Sequence, residues 1–143
     1  MTPYCPRCGT SLASHEVAQG YEDISTETVI VPMKCQEMDA YFLAWTTTPW
    51  TLLANVALCV NPNETYVLCE SRGEKFILAE ALASAVLGDE YEVLETYKGK
   101  DLEYKKYEQL IPELEVSGEC FFVCCDEYVT TDSGTGVVHM APA

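Results

Sequence analysis

Residues 45–55 read Trp-Thr-Thr-Thr-Pro-Trp-Thr-Leu-Leu-Ala-Asn, and they hold most of this chain's capacity for chemistry. Four threonines, two tryptophans and an asparagine fall within eleven positions. An apolar, β-prone run, Tyr41 to Trp45, leads in, and Ala54 to Val60 follows. Hydroxyls at the end of a buried strand cost free energy unless something hydrogen-bonds them. A threonine hydroxyl is a poor nucleophile without a base, and no His or Lys stands nearby in sequence. It serves well as donor and acceptor toward a water, a ribose or an ester carbonyl. Such a site would hold a water in place and would not attack covalently. The plainer alternative is that threonines end a strand because they are β-branched. Spacing alone favours the plainer one.

Gly134-Thr135-Gly136-Val137-Val138-His139-Met140-Ala141-Pro142 is the second candidate. Its glycines let backbone approach a ligand closely. His139 ends an apolar strand, where an imidazole either faces a pocket or sits in the core satisfied by backbone. Cys5-Pro6-Arg7-Cys8-Gly9 is a CxxC knuckle. Two thiolates at this spacing can share one tetrahedral Zn²⁺, but a structural zinc needs four ligands. There is no second CxxC, and Cys124 and Cys125 are adjacent. His15 is a candidate third ligand with nothing specific in its spacing to support it. The knuckle reads as half of a zinc ribbon, against the alternative of two unrelated surface thiols. A thioredoxin-type redox role would need a βαβ context, which is missing.

Short strands with turns between them must position these groups. Thr26 to Val31 reads as a strand ended by Pro32, Asp39 to Thr47 as a strongly apolar strand, and Val56 to Val60 as another. Asn61-Pro62-Asn63 is a turn. Thr65 to Glu70 and Lys75 to Leu78 form a hairpin around Ser71-Arg72-Gly73-Glu74. Leu78 to Leu87 has helical spacing, with Gly88 as its cap. Tyr91 to Tyr97 alternates like a half-buried strand. Lys98 to Gln109 reads as a charged connector with tyrosines at 104 and 107, its Lys98 to Lys106 part a solvated loop, and Glu119 to Cys125 as an apolar strand. The expected fold is a β-rich α+β domain: a barrel-like β core with one or two packed helices. Residues 1–20 differ in composition and form a segment bordering the main domain, 21–143.

The chain has 143 residues and a net charge of −15, from 23 acidic and 8 basic side chains. That balance excludes a domain that grips nucleic acid by neutralising phosphates. Any contact with RNA would be to an end or a small reacting group. Of the eight cysteines, all but Cys5 and Cys8 lie in or beside apolar runs, as small core hydrophobes. The expectation is a reducing, cytoplasmic setting with no membrane span.

These segments together resemble the editing domain (connective peptide 1) of isoleucyl-tRNA synthetases. The motif at 45–55 is long and specific, the one at 134–142 resembles the second family motif, and Cys5 to Gly9 resembles the zinc knuckle bordering that domain. Valyl and leucyl relatives carry Arg where this chain has Thr48. The resemblance implies the editing-domain fold those three enzymes share, within an ATP-using ligase. It implies hydrolysis of valine wrongly attached to tRNA(Ile), and of valyl-adenylate. A missing methylene gives only about 1–3 kcal/mol of discrimination, a magnitude for which isoleucyl-tRNA synthetase is itself the standard example. A second, smaller pocket must therefore admit valine and exclude isoleucine.

Carried over by matching position, Thr46, Thr47, Thr48 and Asn55 are the implied catalytic residues. Trp45, Trp50, Thr51, Gly136 and His139 are the implied substrate-binding residues, with His139 limiting side-chain size. The implied partners are the charged 3′ end of tRNA(Ile), valyl-adenylate and the rest of a parent synthetase, the chain itself being monomeric. Zinc on Cys5 and Cys8 would be structural, and editing needs no cofactor. Leu53 departs from the proline common in the family. The family motif continues past Ala143 to an acidic pair that anchors the substrate ammonium, so the domain is expected to be truncated at its C-terminus. The competing expectation is a zinc-knuckle interaction module without catalytic activity of its own.

Overall fold

Tyr41–Thr46 (β4) is the hub, because its side chains are wanted on both faces. Phe42, Leu43, Ala44 and Thr46 are all buried, the pattern of a strand covered on either side. In a computed structural model, which describes residues 3–19 and 25–142, β4 lies inside an eight-stranded sheet. Val29–Lys34 (β3) pairs antiparallel along the whole of one edge. The other edge is shared. Tyr41 and Phe42 pair with Glu74–Ala79 (β7), while Trp45 pairs with Val137–Met140 (β10), both in parallel. The sheet forks at β4 and bends into a half-barrel.

One limb of the fork runs from β7 to Thr65–Ser71 (β6) and on to Glu92–Lys98 (β8), all antiparallel. The other runs from β10 to Ala57–Val60 (β5) and on to Phe122–Cys125 (β9). Phe42, Ala44, Leu58, Val60, Ile77, Val123 and Val137 fill the concave core. Leu43, Val67 and Leu78 form a smaller cluster on the opposite face, where Ala83–Leu87 (α2) covers them through Ala83, Val86 and Leu87. The barrel-like sheet with a packed helix is thus as expected.

Four local expectations change. The helix expected over 78–87 begins later, because Leu78 and Ala79 continue β7 opposite Val67 and Tyr66. Only a 3₁₀ turn at Glu80–Leu82 and the five-residue α2 follow. The strand expected to stop at Pro32 runs through it to Lys34. Among the described residues β3 pairs with no strand but β4, and on such an edge a residue without an N–H is tolerated. β8 is not half-buried: of its side chains only Tyr97 is partly covered. The connector 98–109 is not uniformly solvated, since Gly99 and Leu102 are buried and Tyr107 is fully so.

Near the N-terminus, Tyr4–Cys5 (β1) and Thr10–Ser11 (β2) form a separate hairpin. Ser14–Gln19 (α1) follows with no buried residue. The expected boundary between residues 20 and 21 lies outside the described residues.

Candidate hydrolytic site

The threonine segment turns where β4 ends. Alternation along β4 puts Thr46 on the concave side with Phe42 and Ala44. Its Oγ1 accepts the backbone N–H of Thr48 at 3.0 Å, which folds the chain into a tight turn. Pro49, with φ fixed and no N–H to lose, then opens a 3₁₀ helix over Pro49–Ala54. The result is a line of hydroxyls: Thr46 Oγ1 lies 3.4 Å from Thr48 Oγ1, which lies 3.3 Å from Thr51 Oγ1. Thr51 Oγ1 lies 2.9 Å from Nε2 of His139. Residues 88 positions apart in sequence thus meet because β10 pairs beside β4.

Proton counting fixes the state of His139. Thr51 has one hydroxyl proton, and it donates this to the Thr48 carbonyl at 2.7 Å. A carbonyl cannot donate in return, so the 2.9 Å contact to the imidazole requires Nε2 to carry the hydrogen. Nδ1 is buried with no hydrogen-bond partner among the described residues, a place unfavourable to a second proton. Burial also lowers the pKa of His139 below its ordinary value. With its pKa lowered from 6.5, the imidazole is neutral at pH 7, donates from Nε2 and brings no positive charge to the line.

Asn55 closes the 3₁₀ helix and is buried. Its Nδ2 donates to the carbonyls of Ala57, at 3.0 Å, and Met140, at 3.4 Å. Its Oδ1 accepts from the Tyr107 hydroxyl at 2.6 Å. Both of its amide hydrogens and its oxygen are engaged by protein, so Asn55 is a clamp between the helix and β10. Tyr107 escaped the sequence reading as a site residue. Its one signal was a lone aromatic between Lys106 and Glu108 in a charged stretch.

The remaining candidates lie apart from this line. Trp45 points to the opposite face of β4, packed so tightly on Gly134 that a Cβ there would sit 2.7 Å from the indole. Gly136, at φ +72°, faces Ala79, whose Cβ would be 2.5 Å from an added one. Its carbonyl accepts the Tyr66 hydroxyl at 2.6 Å. These contacts join the glycine turn to the first limb. Thr47 is exposed beside the hydroxyl line, and Trp50 is 69% and Leu53 63% exposed on the outer side of the 3₁₀ helix.

Cys5 and Cys8 lie at the β1–β2 turn, far from these groups in sequence. The Thr10 hydroxyl, 3.1 Å from Cys8 Sγ, and then Cys5 lower the pKa of the exposed Cys8 thiol. Among the described residues no group of three His, Cys, Asp or Glu could hold a metal, so neither His15 nor any other such side chain joins the two thiols. Two thiols are half of a tetrahedral set.

Comparison with family models gives no match. Among curated proteins, the chain is 50% identical over 142 residues to the isoleucine–tRNA ligase of Clostridium tetani. That alignment covers 99% of this chain and 14% of the relative, so the chain spans about one seventh of the length of the ligases it matches. Among solved structures, the crystal structure of GlLeuRS-CP1 superposes with a TM-score of 0.65 at 20% identity, covering 79% of this chain and 52% of that one. The Plasmodium knowlesi cytosolic leucyl-tRNA synthetase editing domain superposes with a TM-score of 0.63 at 14% identity, covering 85% of this chain and 60% of that one. Identity this low speaks for the fold alone, while the identity to the ligases runs along the whole chain. By sequence and fold together, this chain belongs with the isoleucine–tRNA ligases, matching one segment of them, and it is built as a synthetase editing domain.

Proposed function

We propose that this domain hydrolyses the ester between valine and tRNA(Ile), using a water held by threonine hydroxyls and the ribose of the terminal adenosine. The observation that carries this is the hydroxyl line from Thr46 through Thr48 to Thr51, ending on a neutral His139. Hydroxyls orient a water without competing with it as nucleophiles. The water oxygen attacks the ester carbonyl, the bond from that carbon to the ribose oxygen breaks, and the water's proton passes to the ribose oxygen. Thr47, exposed beside the line, is free to meet the ribose. Thr51 and His139 form the wall that admits valine and refuses the extra methylene of isoleucine. Valyl-adenylate, a mixed acyl-phosphate anhydride, is a second substrate of the same site: the water attacks its acyl carbonyl and the bond from that carbon to the phosphate oxygen breaks, releasing AMP.

The acidic chain is poorly suited to hold tRNA alone, so the rest of the synthetase supplies the grip. Cys5 and Cys8 contribute two ligands to a structural zinc whose other ligands come from elsewhere in the ligase. Zinc analysis of the whole enzyme with and without Cys8→Ser tests that assignment.

The decisive assay is hydrolysis of valyl-tRNA(Ile) against isoleucyl-tRNA(Ile), by this chain and by the ligase containing it. Valine-selective hydrolysis that drops on Thr47→Ala and Thr48→Val supports the proposal. A ligase that leaves both esters intact refutes it.

A further inference from the structure

Tyr107 is the most deeply buried polar side chain near the site, and the hydroxyl line never touches it. Its ring is wholly inaccessible to solvent and packs edge-on against Phe121, with centroids 5.9 Å apart. Its backbone is held from both sides. The N–H donates to the Phe121 carbonyl at 2.9 Å, and the carbonyl accepts from Nε2 of Gln36 at 3.3 Å. Phe121 N–H donates in turn to the Val56 carbonyl at 2.7 Å, and Val56 N–H donates to the Met140 carbonyl at 3.0 Å. Val56 follows Asn55 directly, and the Tyr107 hydroxyl reaches Asn55 Oδ1. The loop of bonds therefore closes on itself: Tyr107, Phe121, Val56, Asn55, and back to Tyr107.

This loop does one thing that packing alone would not. An asparagine side chain can sit either way round, and nothing in its shape chooses between them. The carbonyls of Ala57 and Met140 make the choice, since they only accept and so require Nδ2; Oδ1 is left toward Tyr107, whose hydroxyl holds it at 2.6 Å. The flipped amide would set oxygen against oxygen there. Asn55 ends the helix that carries Thr51, and Met140 adjoins His139. The carboxamide held by Tyr107 therefore ties the end of that helix to β10 beside His139.

We propose that Tyr107 is a positioning residue: through the Asn55 carboxamide, its hydroxyl sets the Thr51–His139 separation and with it the size of side chain the site accepts. The selectivity part rests on the hydrolytic reading above, whereas the geometric part does not.

The test compares wild type, Tyr107→Phe and Phe121→Leu. The first variant deletes only the hydroxyl. The second removes the packed ring and keeps the hydroxyl. Nitrogen NMR of His139 in this chain reads the geometry without any substrate. The ratio of valyl- to isoleucyl-tRNA(Ile) hydrolysis by the ligase reads the selectivity. The expected result for Tyr107→Phe is loss of the single Nε2-protonated tautomer and a several-fold fall in valine preference, with Phe121→Leu close to wild type in both. A folded Tyr107→Phe with the wild-type tautomer overturns the proposal, as does Phe121→Leu reproducing its effects. Should Tyr107→Phe lose the fold, Asn55→Ala removes the whole carboxamide that carries the effect, and survival of the wild-type tautomer in it overturns the proposal. A wild-type ligase that hydrolyses neither ester defeats the proposed reaction, and the imidazole signals still decide the role of Tyr107.

Discussion

Thr51 has one hydroxyl proton and two neighbours within reach, and this small conflict shapes the site. Thr51→Val keeps the shape and removes the hydroxyl. It leaves His139 Nε2–H, a part-buried donor, without its acceptor, at a cost of about 1 kcal/mol. Urea unfolding of the variant should register a loss of that size, and valyl-tRNA hydrolysis by the ligase should fall with it. His139 also predicts a pH dependence. Its folded pKa lies below the ordinary 6.5. Between the two values the unfolded chain binds more protons, so stability rises with pH there. The contribution is complete above 6.5 and is lost as pH falls through the folded pKa. Urea midpoints from pH 8 down to pH 5 should decline for wild type, and less for His139→Gln. Equal declines would mean that other groups carry the acid sensitivity.

The elements explain which parts of the molecule could be read in advance. The strands β4, β5 and β10 were legible because each is an apolar run bounded by its own turn residues. The hairpin at Arg72-Gly73 was legible for the same local reason. The helix was misplaced because Leu78 and Ala79 have helical neighbours in sequence and a ladder partner in space, and the ladder prevails. Thr46, Thr48, Thr51 and His139 were named from sequence and do meet. Trp45 was named too, but period-two alternation sends it to the other face of β4. Tyr107 could not be found, because its burial is made by Gln36, Asn55 and Phe121, distant in the chain. At this scale Gly136→Ala is the informative substitution. A Cβ 2.5 Å from Ala79, at φ +72°, combines overpacking with backbone strain. Thermal unfolding should register a loss of roughly 1–3 kcal/mol, because overpacking and strain each lie in that range.

For the molecule as a whole, charge is the governing quantity. A net charge of −15 on 143 residues opposes compaction through self-repulsion, and salt screens it. Raising sodium chloride from about 10 to about 150 mM shortens the Debye length from ~30 to ~8 Å. The unfolding temperature should rise across that range, and a flat profile would mean the acidic groups are too dispersed to interact. Some of that charge guards the open edge at β8, where Val93 and Leu94 are exposed between Glu92 and Glu95. Charged side chains on an edge strand discourage pairing with a second chain. Replacing both glutamates with threonine should promote self-association, measurable by sedimentation.

The fork at β4 divides labour within the sheet. Every group in the hydroxyl line lies on β4, on the turn and 3₁₀ helix that join β4 to β5, or on β10, and Asn55 and Tyr107 close on the same side. The limb through β7, β6 and β8 holds none of them; it meets the working half through the β4–β7 pairing, the shared core at Tyr66, Leu68, Ile77 and Ala79, and the contacts of Tyr66 and Ala79 with Gly136. Selection on the chemistry therefore bears directly on one half of the fold and reaches the other only through that shared core, leaving the outer faces of β6 and β8 comparatively free to drift, to gain insertions or to acquire a new neighbour while the reaction stays as it is.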